Sequence, residues 1–249
     1  MADLEMVAVL KKGVDAWNEW RQTHLKNSSI RPDFSGVDLS GIDLRAADLR
    51  RAILAGVNLH QANLSGADIS NADLREINLS QAKLRSANLS HSNLERAAFD
   101  FADCRMANFS QSILTRSTFK RTRLSQANFR RADLRYVDLR GLDLRSADLS
   151  EINGRRVNFA LADLRKVTCR AGHLRKADFR GADLCQAVFI SSNLSASRFD
   201  HAYLSRANLR GSDLSDASMT NADVDATNLS RANLMRIRLE GTNIDDAIQ

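Results

Sequence analysis

A five-residue period constrains the fold of this chain more than any other feature. Every fifth residue from Phe34 to Ile244 falls in one register without insertion, which gives 43 positions, called centres below. Of these, 40 are Leu, Phe, Ile, Val or Met, and the exceptions are Cys104, Gly154 and Cys169. A period of five fits neither the 3.6-residue turn of an α-helix nor the alternation of a long strand. It suits a short extended step followed by a turn.

The residues around each centre indicate which side chains are buried. The residue two before the centre is most often Ala, and the residue between them is Asp or Asn in 30 of 43 units. Residues two apart on an extended backbone point the same way, so the centre and the small residue before it both face inward. Repeated steps and turns wind the chain into coils that pair like parallel strands, roughly 4.8 Å apart. The pattern therefore predicts an all-β solenoid.

Many units match the motif A-[DN]-L-x-x closely. Examples are A-D-I-S-N at 67–71, A-D-L-R-E at 72–76, A-D-L-R-Y at 132–136, A-D-L-S-E at 147–151 and A-D-L-C-Q at 182–186. Over residues 32–247 the chain resembles the pentapeptide-repeat family. The resemblance implies a right-handed quadrilateral parallel β-helix with four units per coil. On that basis 43 centres make about eleven coils and a rod roughly 50 Å long.

The two ends of the chain depart from the repeat in different ways. Residues 3–26 lack the five-residue period and instead carry apolar residues at spacings of three and four, namely Leu4, Val7, Leu10, Val14 and Trp17. This spacing predicts an amphipathic helix with Asp3 as its N-cap. We expect residues 1–31 to form a helical cap that covers the first coil of a β-helix domain over residues 32–249. A partner-binding or membrane-surface helix is the alternative.

No comparable helix is expected at the C-terminus, where the repeats continue almost to Gln249. The last coil is therefore predicted to be uncapped. The resemblance adds that family members often associate through their C-terminal ends. A homodimer that forms through the uncapped C-terminal coil is thus a hypothesis.

The lack of recognisable targeting signals in the sequence predicts a cytoplasmic protein. No apolar run is long enough to cross a bilayer, and the start MADLEMVAVLKKG lacks the basic region and cleavage site of a signal peptide. The three cysteines, Cys104, Cys169 and Cys185, show neither disulfide nor metal spacing. A reducing compartment is the simplest interpretation.

The sequence carries no pattern typical of an enzyme. It contains no nucleophile elbow, phosphate-binding loop or dinucleotide fingerprint. The histidines are scattered over different coils or faces, so no metal cluster is expected; they are His24, His60, His91, His173 and His201. A filled solenoid leaves no substrate pocket. We therefore expect no catalytic residue, no cofactor and no metal.

Charge is distributed unevenly along the chain. The net charge is +6, but residues 105–180 hold 18 Lys and Arg against 7 Asp and Glu, a net charge of +11. Residues 211–249 hold 3 against 7, a net charge of −4. Many arginines follow the pattern D-L-R, as in Asp133, Leu134 and Arg135. Both charged residues face outward two apart, so most of these arginines are predicted to form surface pairs.

The unit at Gly154 breaks this pattern, because Asn153 replaces Asp and Arg155 and Arg156 follow. Together with Gly172, the glycine is expected to dent one wall. Stacking at a 20-residue spacing brings further basic residues beside it. The hypothesis is a shallow anion-binding patch formed by Arg116, Arg135, Tyr136, Arg155, Arg156, His173, Arg175 and Lys176. The alternative is a tolerated repeat defect covered by counterions.

Three functions are compatible with this pattern. The first is a non-enzymatic scaffold whose outer faces bind an acidic protein or a polyanion. The second follows from the resemblance: some pentapeptide-repeat proteins mimic DNA and bind type II topoisomerases such as gyrase. The basic surface disfavours that function, since DNA mimicry requires a negative one. The third is nonspecific nucleic-acid binding, which would weaken steeply with salt; few outward aromatic residues are present for base stacking.

Overall fold

The computed structural model describes residues 2–24 and 31–248. The chain divides into two units, Met1–Arg123 (unit 1) and Leu124–Gln249 (unit 2). Each unit contains stacked coils of the same design, and unit 1 also contains two helices. Among the described residues, no helix has the length and apolar character needed to cross a membrane.

Parallel backbone bridges with a 20-residue register build both units. Residue i pairs with residue i+20, as in Asp48 with Asp68 in unit 1 and Asp163 with Asp183 in unit 2. The Leu49 N–H donates to the Asp68 carbonyl at 2.7 Å, and the Asp68 N–H donates to the Ala47 carbonyl at 3.0 Å. Each bridge is one residue long. Because the register is 20 residues, one coil comprises four pentapeptides. Within residues 31–248 these bridges take the place of longer strands.

A tight turn follows each centre and explains the residues that surround it. After Leu49 the turn closes with a 3.2 Å hydrogen bond from the Ala52 N–H to the Leu49 carbonyl. Arg51 takes a left-handed conformation there, with φ of 61°. The Asp48 carboxylate accepts from the Arg50 N–H at 3.1 Å. Because only Asp and Asn make this local bond well, the position before the centre favours them.

The centres form the core of each unit. Leu64, Leu84 and Leu144 are fully buried, and burying one such side chain is worth about 1.5–3 kcal/mol. Phenylalanines stack between successive coils, with ring centroids 4.9 Å apart for Phe99 and Phe119 in unit 1. In unit 2 the pairs are Phe159 with Phe179 at 5.3 Å and Phe179 with Phe199 at 4.7 Å. The stacked phenylalanine rings therefore belong to the core.

Two cysteines occupy centres as small apolar residues. Cys104 and Cys169 are buried and free, and burial raises the pKa of both thiols well above the ordinary value. A neutral buried thiol packs much as an apolar side chain does. Cys185 is partly exposed, and partial burial raises its pKa to about 11. All three thiols are therefore protonated at neutral pH.

Gly154 does not dent the wall, which corrects the expectation from the sequence. A Cβ atom at Gly154 would lie 2.8 Å from Leu174 Cδ2 and 3.1 Å from Ile152 Cδ1. These two side chains therefore occupy the space that a larger centre fills in other units. At Gly172 a Cβ would clash with the Cys169 sulfur, so the interior is closed there too.

Two helices, not one, precede the repeats. Helix α1 spans Leu4–Lys11, and helix α2 spans Val14–His24. Asp3 is the N-cap of α1, and its carboxylate accepts from the Glu5 and Met6 N–H groups at 3.0 and 3.2 Å. Gly13 has φ of 119°, a conformation that ends a helix. The prediction of one helix over 3–26 missed this break, and residues 25 and 26 lie outside the described residues.

Helix α2 packs against the first coil of unit 1 through Trp17. Its indole ring is buried and meets the Phe34 ring edge-on at a centroid distance of 5.4 Å. The Trp17 Nε1–H donates to the Asp48 carbonyl at 2.8 Å. Arg21 adds an ion pair to Asp48 at 2.9 Å. Leu4, in contrast, is exposed, so the apolar face predicted to include it is shorter than the spacing indicates.

The C-terminal part of unit 2 closes with a short 3₁₀ helix at Ile244–Asp246. A parallel bridge joins Asn228 to Ile248 after it. Inward residues of the last coil, such as Leu234 and Leu239, are only half-buried. This end of unit 2 therefore leaves more apolar surface accessible than its middle coils do.

Gly154→Leu should destabilise the protein by about 1–3 kcal/mol, although leucine is the most common centre. The reason is that Leu174 and Ile152 already fill the site. Urea unfolding followed by circular dichroism measures the change. The double variant Gly154→Leu with Ile152→Ala restores room and should recover part of the loss. A single variant that is more stable than the natural chain would contradict this packing.

Candidate anion-binding patch

Nine of the 17 arginines in unit 2 form an ion pair with a nearby carboxylate of the described residues. In five cases the carboxylate belongs to the residue two positions earlier, with closest N–O distances between 2.6 and 2.8 Å: Arg135, Arg140, Arg145, Arg165 and Arg180. The predicted pairing of D-L-R units is confirmed at these positions. Because such pairs are exposed and screened by solvent, each contributes little to stability. Their main effect is to neutralise the surface.

Arg155 and Arg175 lack such a partner. Bridges from Asp133 to Asn153 and from Asn153 to His173 place residues 135, 155 and 175 in successive coils. Asn153 and His173 stand where Asp133 stands beside Arg135, so no carboxylate precedes either arginine. Within the described part of the chain, neither guanidinium has a carboxylate oxygen within 4.0 Å. Both side chains are exposed.

The adjoining column adds two more cations. Residues 136, 156 and 176 follow one another at the same 20-residue register, and all three are exposed. The Arg156 guanidinium lies 5.9 Å from the centroid of the Tyr136 ring, a cation–π contact. In the described residues, Arg156 and Lys176 form no ion pair. We define the basic patch as Arg155, Arg156, Arg175 and Lys176.

The other predicted site residues lie in different surroundings. Arg116 belongs to unit 1, where it forms an ion pair with Glu95 at 3.6 Å. Arg135 is neutralised by Asp133. His173 is exposed beside the basic patch, in the position before its centre. Of the eight residues named from the sequence, four thus form an unpaired cluster, with Tyr136 and His173 at its border.

A shallow cavity of about 400 Å³ lies on the other side of His173. Its lining residues are Arg131, Glu151, Ala171, Gly172, His173, Ser191 and Asn193. Ala171 is small and exposed, which leaves room for the cavity at the outer surface, whereas Gly172 faces inward and is buried. The cavity lies next to Gly172 and not at Gly154.

Glu151 gives this cavity a feature that the sequence analysis missed. Its carboxylate accepts hydrogen bonds from Arg130 at 2.6 Å and from Arg131 at 2.7 Å. The hydrogen bonds from Arg131 and Arg130 hold the pKa of Glu151 below its ordinary value. The signal in the sequence is the 20-residue spacing of Arg131 and Glu151, which pairs opposite charges across coils. One carboxylate thus restrains two arginines.

Electrostatic binding is the chemistry that this surface supports. In residues 2–24 and 31–248, no group of three or more His, Cys, Asp and Glu is placed to hold a metal ion. Instead, the four cations of the basic patch lie in two adjoining columns and form a locally positive surface. Successive coils lie about 4.8 Å apart, and like charges at that distance repel by roughly 1 kcal/mol in water. An anionic group between them relieves this repulsion.

Comparison with known proteins assigns the family. The model for pentapeptide repeats matches over residues 33–71, 42–81, 77–116, 112–151, 132–168, 169–206 and 197–236. The chain belongs to the pentapeptide-repeat family. Together with the 20-residue register of the bridges, this match supports the right-handed β-helix solenoid predicted from the sequence. No curated protein matches the chain.

Three solved structures are similar to the chain. The pentapeptide repeat protein HetL, involved in heterocyst differentiation regulation in the cyanobacterium Nostoc sp. strain PCC 7120, is 27% identical, with 96% of this chain and 94% of that chain covered and a TM-score of 0.58. QnrB1, a plasmid-mediated fluoroquinolone resistance protein, is 20% identical, with 84% and 93% covered and a TM-score of 0.44. A thylakoid lumen pentapeptide repeat protein of Arabidopsis thaliana is 33% identical, with 41% and 68% covered and a TM-score of 0.28.

Glu151→Gln should strengthen binding to heparin, up to about fivefold. Removing the carboxylate releases Arg130 and Arg131, and one surface charge contact is worth about 0.2–1 kcal/mol. The salt concentration at which the protein elutes from a heparin column measures the effect. Glu240→Gln is the matched control, since it removes one charge from another face of unit 2. Equal shifts in both variants would show that net charge alone is responsible.

The thermal unfolding midpoint should fall as the pH drops below about 4. Hydrogen bonds from the arginine two residues later lower the pKa of Asp73, Asp103, Asp143 and Asp163 in the folded protein. These ionised carboxylates therefore stabilise the fold above the ordinary pKa of about 3.9, and the stabilisation is lost as the pH falls through the lowered values. Melting between pH 7 and 2.5 tests this. Asp163→Asn should show a smaller pH dependence, and a midpoint that rises on acidification would contradict it.

Proposed function

We propose that this protein is a non-enzymatic binding scaffold that recognises an acidic protein or a polyanion through the basic patch. The observation that carries the proposal is that, among the described residues, Arg155 and Arg175 have no carboxylate oxygen within 4.0 Å. Five other arginines of unit 2 are matched by an aspartate two residues earlier. The fold therefore permits neutralisation at this position, yet the patch keeps its charge.

The geometry suits an extended anionic surface more than a small ligand. The patch covers two adjoining columns and at least two coils, and its four side chains are exposed. Exposed charges act over roughly a Debye length, about 8 Å at physiological ionic strength. Such a surface steers a partner and sets its orientation, with an affinity that depends on salt. Repeat solenoids commonly bind through extended surfaces of this kind.

Other features of the sequence analysis belong to the same proposal. We propose that α1 and α2 form a helical cap, that residues 1–31 and 32–249 are the two domains, and that the β-helix contains about eleven coils. The contact between Trp17 and Phe34 supports the cap. A cytoplasmic location and a homodimer through the C-terminal coil stay predictions. The half-buried Leu234 and Leu239 support the dimer.

Charge reversal of the patch tests the proposed function. The double variant Arg155→Glu with Arg175→Glu should weaken binding to fluorescein-labelled poly-L-glutamate at least about tenfold, measured by fluorescence anisotropy at low salt. Each substitution replaces an attractive contact with a repulsive one, and roughly 1.4 kcal/mol corresponds to tenfold. Arg206→Glu with Arg210→Glu is the matched control, because it changes the charge equally with two other exposed arginines of unit 2.

The outcomes also separate the alternative functions. Equal weakening by both double variants would overturn the proposed patch. Tighter binding of a thymidine oligonucleotide than of poly-L-glutamate, lost in the patch variant, would favour nucleic-acid binding. Binding to purified gyrase that survives the patch variant would favour the topoisomerase function.

A further inference from the structure

Leu161 is an aliphatic side chain at a turn position that holds mostly polar residues or glycine. It is 72% exposed and takes a left-handed conformation with φ of 61°. Among the left-handed turn residues of unit 2 that the structure describes, it is the one aliphatic side chain larger than alanine. An L-residue is disfavoured in this conformation relative to glycine. Neither local backbone preference nor burial therefore explains a leucine here.

The neighbouring coils present Leu161 to solvent. Gly141 and Gly181 occupy the same turn position one coil before and one coil after it. The Leu161 side chain lies across Gly181, since a Cβ atom there would be 2.9 Å from Leu161 Cδ2. Two glycines beside one leucine leave a raised apolar side chain with open space around it.

The coil that carries Leu161 is uncharged where adjacent coils carry ion pairs. Asp138 with Arg140 and Asp178 with Arg180 form pairs at 2.8 and 2.6 Å. The equivalent residues of the intervening coil are Asn158 and Ala160, which follow in the same register. We define the neutral strip as Asn158, Ala160 and Leu161. The ion pairs of the two adjacent coils lie on either side of the neutral strip.

The neutral strip continues directly from the basic patch. Arg156 and Leu161 lie at the two ends of one side of the same coil, with the bridge residue Asn158 between them. Five residues of extended chain span at most about 17 Å, so both ends lie within reach of one short peptide. Two unpaired arginines at one end and an exposed leucine at the other form a surface that combines positive charge with an apolar contact.

We propose that this side of the coil binds an acidic segment of a partner protein that carries an aliphatic side chain close to its carboxylates. The carboxylates contact Arg155 and Arg156, and the aliphatic side chain packs on Leu161 and Ala160. Charge complementarity selects an acidic partner, and the leucine selects a protein, because a nucleic acid offers no aliphatic side chain beside its phosphates. This inference rests on the proposed function and adds the chemical identity of the partner.

Selection from a random 12-residue peptide library displayed on phage tests the inference with the whole protein as bait. The natural chain should enrich peptides that contain Asp and Glu together with Leu, Ile, Val or Met within about five residues. Affinities of enriched synthetic peptides are then measured by fluorescence anisotropy. Leu161→Gly should weaken them about tenfold, the loss expected for one buried aliphatic contact. Leu161→Met should stay within about twofold.

Weaker binding by Leu161→Gly would not result from a loss of folding. Glycine suits the left-handed turn at residue 161, as it does at Gly141 and Gly181, so the melting temperature of Leu161→Gly should not fall. Met106→Gly is the matched control, because Met106 is an exposed apolar residue at the same turn position in unit 1. It should leave peptide affinity unchanged.

The outcomes distinguish this inference from the proposed function. Enriched peptides that are acidic but contain no aliphatic residue would overturn the inference and support the basic patch. Acidic peptides whose affinity is insensitive to Leu161→Gly would do the same. A selection that enriches no acidic peptides would overturn both. Loss of binding in Arg155→Glu with Arg175→Glu, combined with weakening in Leu161→Gly, supports both.

Discussion

The backbone bridge between residue i and residue i+20 governs the rest of this structure. It fixes the step from one coil to the next, so every residue has known neighbours above and below it. Inward positions then become ladders of identical environment, as the stacked rings of Phe179 and Phe199 show. Outward positions become columns in which charges are brought about 4.8 Å apart. Core packing and surface electrostatics therefore follow from one register.

The same constraint leaves the surface charge free to vary. In most units a side-chain oxygen before the centre accepts a hydrogen bond from the turn that follows, and either Asp or Asn supplies it. Asp163 accepts from the Arg165 N–H at 3.3 Å, and Asn158 accepts from the Ala160 N–H at 3.0 Å. The local bond is equivalent, but only the aspartate neutralises a following arginine. A change from Asp to Asn thus alters the charge of a column with little effect on the turn. The fold allows a basic patch at small structural cost.

Sequence reasoning succeeded where the period alone determines the environment. The buried centres and the Asp–Arg pairs both follow from a position within the five-residue unit. It failed where a side chain depends on a particular neighbour. Glu151 joins Arg130 and Arg131 because its carboxylate reaches across a coil, and Leu174 fills the space at Gly154. Gly13 likewise divides the N-terminal helix through one backbone angle, which apolar spacing does not encode.

One coil of unit 2 contains several departures from the repeat. They differ in whether neighbouring residues of the chain compensate for them. The inward departure at Gly154 is balanced within the chain, since Ile152 and Leu174 occupy the vacant space. The outward departures are not: among the described residues Arg155 has no carboxylate oxygen within 4.0 Å, and Leu161 is 72% exposed between Gly141 and Gly181. A vacancy in a packed core has to be filled by neighbouring side chains, because solvent does not reach it. On the surface, solvent surrounds an unmatched charge or apolar group. Unmatched groups on the surface are therefore the ones to attribute to a partner.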